Sequence, residues 1–295
     1  MSIDIFIHID LAIPSSFTTN LSSNMQRSFA VSLVSRAAAI FGVDKIYIYP
    51  DPLNQDRQTS REVQKLLSYL ITPPYLKKSL FHKDKTLGYV GALPPVKLNI
   101  FKEKVMIRDM VFPDYRVGML IGRSKGGSYL YDVGLDKLVA VKSDVKPRST
   151  ALVKIVKNSE KYLIGEIVSE RESDELKLYS GYRVIRLKES LPTFLRRYRG
   201  VKIGLSRYGS YVGDIDVHML KRMIVERGRY ILVFGAPDYG LVDILNYYGL
   251  TPEDIFDYFL NLVYHQNVET IRIEEAVIMG LSILDFIYNA GRFER

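Results

Sequence analysis

The sequence predicts an α/β protein whose parallel sheet is built from both ends of the chain, with a small β-barrel inserted between them. Three observations predict it. The chain opens in a β-α-β-α order. Helical periodicity then vanishes between roughly residues 100 and 186, where alternating apolar and polar runs take over. After Leu187 the α/β pattern returns.

The elements follow in order. Residues 3–10 (Ile3-Asp-Ile-Phe-Ile-His-Ile-Asp) read as a strand, and residues 11–24, rich in Ser, Thr and Asn, as a loop with helix caps. Met25 to Phe41 carries apolar residues at helical spacing, and Gly42 stands where a helix stops. Lys45-Ile-Tyr-Ile-Tyr is a short buried strand ended by Pro50, followed by a helix from Thr59 to Ile71 and a second after Pro74. Pro94-Pro95 closes this first part. Five runs come next, at 116–122, 128–134, 137–142, 150–157 and 162–169, separated by turns such as Lys125-Gly-Gly. At that spacing they predict five short antiparallel strands and a barrel of OB-like size. Residues 189–199 form a basic helix, Val201–Ser206 a buried strand with its turn at Arg207-Tyr208-Gly209, and residues 215–227 a helix stopped by Gly228. The apolar run Ile231–Phe234 then enters Gly235-Ala-Pro-Asp-Tyr-Gly240, and a helix starts near Leu241. A short apolar run, a glycine turn and a helix are what a buried parallel strand feeding a ligand loop looks like. Gly235 and Gly240 let the backbone approach a ligand closely. The final helix begins at Thr270-Ile-Arg-Ile-Glu-Glu, with a hydroxyl and two acids in its first turn. The domain boundaries that follow are residues 1–98 with 187–295 for the α/β domain and 99–186 for the barrel.

Composition narrows the function. The chain has 295 residues, 47% hydrophobic and 25% charged, enough for a substantial core. Cysteine is absent, which excludes disulfides, thiolate zinc sites and a cysteine nucleophile. The four histidines, His8, His82, His218 and His265, are too dispersed to suggest a metal centre, so no metal is expected. No apolar window is long enough for a membrane span and the N-terminus does not read as a signal peptide, so a cytoplasmic protein is expected. The formal net charge is +8. Residues 186–229 hold 11 Lys/Arg against 4 Asp/Glu, whereas residues 230–295 hold 3 against 10. A basic face ahead of an acidic segment fits a nucleic-acid groove beside a separate site, or a solvated surface whose imbalance cancels in three dimensions. The barrel segment, with 16 Lys/Arg against 12 Asp/Glu over 99–183 and interleaved tyrosines, has the mix single-strand binders use. Neither a G-x-G-x-x-G fingerprint nor a Gly-Lys-Ser/Thr phosphate loop opens a helix.

Val233–Leu241, Gln266–Ala276, Ile203–Gly209 and Leu70–Phe81 together carry a resemblance. The sequence resembles the SPOUT class of RNA methyltransferases, in the archaeal and eukaryotic branch with an inserted OB-like domain. The resemblance implies a SPOUT-type parallel sheet with a C-terminal deep trefoil knot, a homodimer, and S-adenosylmethionine bent in the knot and held mainly by backbone groups. Matched residue by residue, it implies a cofactor loop at Gly235, Pro237, Gly240 and Leu241, and a second at Leu205 and Ser206. It also implies a knot loop at Tyr264, Gln266, Val268 and Thr270. Arg272, Glu274 and Glu275 match the Thr-x-Arg-x-Glu-Glu-Ala signature, with Arg272 and Glu274 as catalytic candidates. On the residues alone, that pair could equally cap the helix. Arg196, Arg197, Arg199 and Lys202 are candidates to clamp an RNA backbone. The pattern departs at Ala236 for Gly, Asp238 for Glu, Tyr239 for Lys, Asn267 for Gly, and Leu205 and Arg207 for Thr and an acid. Lys97-Leu98-Asn99 stands in place of a histidine pair. An S-adenosylmethionine-dependent methyltransferase acting on a ribosomal RNA base is therefore expected. A knotted RNA-binding ribosome assembly factor that has lost catalysis is the alternative. An acid at a helix start is expected to have a lowered pKa and to be a weak base, so Glu274→Gln is expected to cost little turnover and Arg272→Ala much.

Overall fold

The computed structural model describes residues 6–54, 57–82 and 84–289. In chain order the elements are β1 (His8–Pro14), α1 (Asn24–Ile40), β2 (Lys45–Tyr49), α2 (Arg57–Ile71), α3 (Pro74–Leu80), β3 (Asp114–Arg123) and β4 (Tyr129–Asp132). Then come β5 (Val139–Val141), β6 (Thr150–Asn158), β7 (Leu163–Ile167), α4 (Glu170–Glu175), β8 (Arg183–Arg186), α5 (Leu191–Arg197) and β9 (Val201–Tyr211). The chain continues through α6 (Val217–Arg227), β10 (Arg229–Phe234), α7 (Leu241–Asn246), β11 (Tyr258–Asn261) and α8 (Ile273–Asn289). They divide into two compact units: Met1–Ile71 with Asp84–Val96 and Tyr182–Arg295, and Thr72–Lys83 with Lys97–Gly181.

The first unit is a six-stranded sheet in the order β11-β9-β10-β1-β2-β8, parallel throughout. Parallel strands need cover on both faces, and these sequences supply it with near-continuous apolar runs. Leu11, Ala12 and Ile13 of β1 and Ile231, Leu232 and Val233 of β10 are fully buried. Alternation divides them between faces. Ala12, Tyr47, Tyr49, Ile231 and Val233 meet Leu191 and Leu195 of α5 and Leu241, Ile244 and Leu245 of α7. On the other face α8 lies against α1 and β10. It comes so close that a Cβ at Gly280 would sit 2.7 Å from a methyl of Leu205 and 3.2 Å from one of Leu232.

Local chemistry sets the element ends. Ser23 caps α1 in a capping box with Gln26, and Ser190 caps α5 by accepting from Thr193 N. Asp216 caps α6, and Gly228 ends it at φ 64°. Several boundaries differ from the sequence reading. Residues 3–5 of the expected first strand lie outside the described residues, and β1 runs on to Pro14 because its second half is buried. The turn expected at Arg207-Tyr208-Gly209 lies inside β9. There Phe259 pairs with Gly204 and the next residue, Leu260, with Ser210, so residues 205–209 bulge away from β11. The final helix starts at Ile273 rather than Thr270, and Glu275 Oε2 accepts from Arg272 N ahead of it. β8, which the sequence reading left inside the inserted segment, is an edge strand of this sheet.

The second unit is a closed barrel in the order β3-β4-β5-β7-β6. Its pairings are antiparallel except β5 with β7, which is parallel, so the expectation of a wholly antiparallel barrel is corrected. Period-two alternation places Tyr131, Val133, Val139, Val153, Ile155 and Leu163 in its core. A buried polar group anchors the strand leading in. Arg116, 1% exposed, donates to Asp114 at 2.8 Å and to the carbonyl of Glu103 at 3.1 Å, and Lys102 pairs with the same Asp114. Buried charges of this kind persist only when paired and hydrogen-bonded, as these are. Tyr75 of α3 donates its hydroxyl to the carbonyl of Val117 at 2.9 Å, which ties α3 to β3 of the barrel.

Candidate cofactor and substrate site

A cavity of about 250 Å³ opens at the carboxyl ends of β9, β10 and β11. Carboxyl ends of parallel strands are where open α/β sheets hold ligands, because the strand-to-helix loops converge there. Four pieces of chain line it: the β9 bulge at 205–208, residues 234–241 from the last residue of β10 onward, residues 260–263 at the end of β11 with Gln266 beyond them, and residues 269–271 leading into the first turns of α8.

The loop after β10 is held at both ends and in its middle. At its start Tyr49 donates its hydroxyl to the carbonyl of Phe234 at 2.6 Å, a fully buried bond. At its end Gly240 N donates to Asp243 Oδ2 at 2.8 Å, which closes the first turn of α7. In the middle Tyr239 donates to Asp51 Oδ2 at 2.6 Å. Asp51 lies just past β2, only 2% exposed, and is saturated with donors. Ser16 bonds the same oxygen as Tyr239, while the amides of Leu53 and Asn54 donate to Oδ1 at 3.0 and 3.3 Å. Burial, and then the Asp51 carboxylate, raise the Tyr239 hydroxyl above its ordinary pKa, so it stays a donor.

The two remaining loops hold each other. Arg207 Nη1 donates to the carbonyl of Glu269 at 3.0 Å, and Gln266 Nε2 donates to the carbonyls of Val268 at 2.8 Å and Glu269 at 3.1 Å. Arg207 Nη2 reaches the hydroxyl of Tyr208 at 3.1 Å. Asn261 Oδ1 accepts from Val263 N at 3.0 Å and shapes the exit from β11.

Of the sequence-derived cofactor residues, Leu205, Ser206, Gly235, Pro237, Gly240, Leu241, Gln266 and Thr270 line this one cavity. Tyr264 and Val268 do not. Tyr264 is 65% exposed and packs edge-on against Tyr211 and His265, and Val268 is exposed. Neither catalytic candidate lines it: Arg272 is exposed, and Glu274 is buried in the first turn of α8. Arg196, Arg197 and Arg199 are exposed, with Arg197 paired to Glu189. Lys202 is half-buried within β9, its Nζ 4.0 Å from Asp257.

The lowered pKa expected for Glu274 is not found. Burial raises it, against smaller opposing effects from its own backbone amide and Arg272, because desolvation outweighs the helix-terminus field at this depth. A raised carboxyl binds its proton more tightly folded than unfolded. Its contribution to stability is therefore full below the ordinary value of 4.5 and lost as pH rises through the folded value. Glu274→Gln, which cannot ionise, is expected to melt higher than the wild type at neutral pH. The two should converge below about pH 4.5. Thermal melts across that range check it.

Asp51, the anchor of the β10 loop, and Asn261, which lines the cavity, are not among the residues expected from sequence. The signal for Asp51 was an acid directly after Tyr49-Pro50, at the carboxyl end of a buried strand.

Comparison with known proteins agrees with the resemblance. Residues 8–284 match the sequence model of a family described as "Putative RNA methyltransferase". The chain is 28% identical over 286 residues to an uncharacterised protein of Haloarcula marismortui, covering 92% of this chain and 96% of that one. It is 28% identical over 310 residues to a 28S rRNA (uridine-N(3))-methyltransferase of Drosophila melanogaster, covering 94% of this chain and 61% of the fly protein. The human protein of the same description is 26% identical over 303 residues, covering 94% of this chain and 77% of that one. Since the matched residues run from the start of β1 to the second half of α8, the chain belongs to this RNA methyltransferase family.

Proposed function

We propose that the protein transfers a methyl group from S-adenosylmethionine to N3 of a uridine in ribosomal RNA. One observation carries the reading: three loops at the carboxyl ends of adjacent parallel strands converge on a single cavity in a chain of this family. The residues present suit the donor. Leu205, Leu241, Leu262 and Ile271 give apolar walls for a purine, and Asp238, Asp243 and Glu269 give negative charge for a sulfonium. The backbone of 235–241 and 266–270 would hold it. S-adenosylmethionine supplies an electrophilic methyl on sulfur and leaves as a neutral thioether. The protein's own part is to fix donor and acceptor in line and to exclude water.

The finer architecture belongs to the same reading. The order β11-β9-β10-β1-β2, with α8 returning against β10 and α1, supports a deep trefoil knot in the C-terminal part. Exposed Met25 and Phe29 of α1 and Ile278 and Phe286 of α8 support a homodimer through these helices. The single parallel pairing, β5 with β7, supports an OB-type barrel, and its basic balance supports RNA binding there. Exposed Arg196, Arg197 and Arg199 would contact phosphates separately. The expected division at 98/99 and 186/187 is adjusted accordingly: the catalytic part takes 1–71, 84–96 and 182–295, with β8 in its sheet, and the RNA-binding barrel takes 72–83 and 97–181.

The test is tritium transfer from labelled S-adenosylmethionine to unmethylated ribosomal RNA, followed by nucleoside mass spectrometry. Label in 3-methyluridine is expected. Tight RNA binding with no label in any nucleoside contradicts the reading and leaves an assembly factor.

A further inference from the structure

We infer that Arg207 is a catalytic residue that stabilises the negative charge of the acceptor base, and that the site is built for an acidic imide N–H rather than a neutral amine. This rests on the proposed methyl transfer to uridine N3. The observation behind it is electrostatic. Among the described residues lining the cavity, Arg207 is the one that carries a positive charge. The other ionisable groups facing the same space are Asp238 and Tyr239 after β10, Asp243 in α7, Glu269 before α8, and the neighbouring Tyr208. Of these, Asp243 is engaged with the amide of Gly240 and Tyr239 with Asp51.

Arg207 is also held in place. It sits on the β9 bulge, where residues 205–209 leave the pairing with β11. One terminal nitrogen is tied to the carbonyl of Glu269 at 3.0 Å and the other to the hydroxyl of Tyr208 at 3.1 Å, with the guanidinium 5.0 Å from the ring centre of Tyr208. A guanidinium has five N–H groups, so donors remain for a ligand. A cation fixed before the reaction costs no reorganisation when charge develops beside it.

The acceptor chemistry calls for such a cation. The N3 of uridine lies between two carbonyls, and its lone pair is delocalised into them. It becomes a nucleophile when the N3–H proton leaves to solvent, with the charge spread over O2, N3 and O4. The N3 pair then forms the bond to the methyl carbon as the S–CH3 bond breaks, and that pair stays on sulfur. A neighbouring guanidinium favours the ionised base and so raises the reactive fraction at neutral pH. An amine acceptor would become cationic on attack and gain nothing from it.

Arg207→Gln and Arg207→Lys are compared with the wild type on ribosomal RNA made with uridine or with the more acidic 5-fluorouridine. Turnover is followed from about pH 6 to about pH 9. The affinity for S-adenosylhomocysteine is measured separately by calorimetry. Arg207→Gln is expected to lower kcat about a hundredfold at neutral pH, with the deficit shrinking as pH rises. The fluorinated RNA should recover about tenfold of the loss, Arg207→Lys should retain part of the rate, and thioether affinity should change less than about threefold. A loss independent of pH and of fluorination overturns the proposal. So does a loss that appears only as weakened thioether binding, which would place Arg207 on the donor's carboxylate. A wild-type protein that labels neither RNA refutes the parent reading and the proposal with it.

Discussion

Gly235→Val is expected to remove cofactor binding while leaving the sheet folded. A Cβ at position 235 would lie 2.9 Å from the amide nitrogen of Leu241 and 3.0 Å from the carbonyl carbon of Gly240. Those atoms are backbone, and both ends of the loop are fixed, by the Tyr49 bond to Phe234 and by the Asp243 cap. The loop therefore cannot yield by rotating a side chain; it has to move as a piece, and its backbone groups would no longer face the cavity. Calorimetry with S-adenosylhomocysteine should show a loss of more than about a hundredfold, near 2.7 kcal/mol. Gly122→Ala is the control: it adds a Cβ where nothing lies within 4 Å, so neither binding nor melting should change.

Asp51→Ala is the second large effect, and it acts on stability as well as on the site. The substitution strands four donors at once: the hydroxyls of Ser16 and Tyr239 and the amides of Leu53 and Asn54. Leaving buried donors without acceptors costs more than the bonds themselves are worth. A destabilisation of about 3–4 kcal/mol is expected in chemical denaturation, against about 1–2 kcal/mol for Tyr239→Phe, which removes one bond only. Because the two residues share one interaction, Tyr239→Phe should add little in the Asp51→Ala background. If the two losses simply add, the Tyr239–Asp51 bond is not what fixes the loop. Tyr239 stands where the family resemblance expects a lysine, and the buried carboxylate gives that departure a role.

What was legible in the sequence follows from which signals are local. The five barrel runs were readable because alternation is a property of neighbouring residues, and each falls on an observed strand. The parallel pairing of β5 with β7 was not readable, since it joins residues distant in sequence. Two short strands were missed for related reasons. β8 has exposed arginines at both ends and no buried residue, and β11 is only four residues long, defined by its pairing with β9. The Gly235–Leu241 loop was legible because glycine, proline and an apolar strand report backbone shape directly.

Side-chain direction was the part that did not transfer. Matching Tyr264 and Val268 to a family position located the segment near the cavity but not the side chains in it. Glu274 shows the same limit from the other side. The helix-start rule gives the sign of one effect, and only the depth of burial shows that desolvation exceeds it. Lys202, counted with the basic residues of the preceding helix, is held near Asp257 within β9.

The most direct test of the central claim is a crystal structure of the protein with S-adenosylhomocysteine bound. The thioether nucleoside is expected in the cavity at the carboxyl ends of β9, β10 and β11, in contact with the backbone of residues 235–241 and 266–270. Density for the ligand at any other place on the chain, or contacts to only one of those two segments, would contradict the claim.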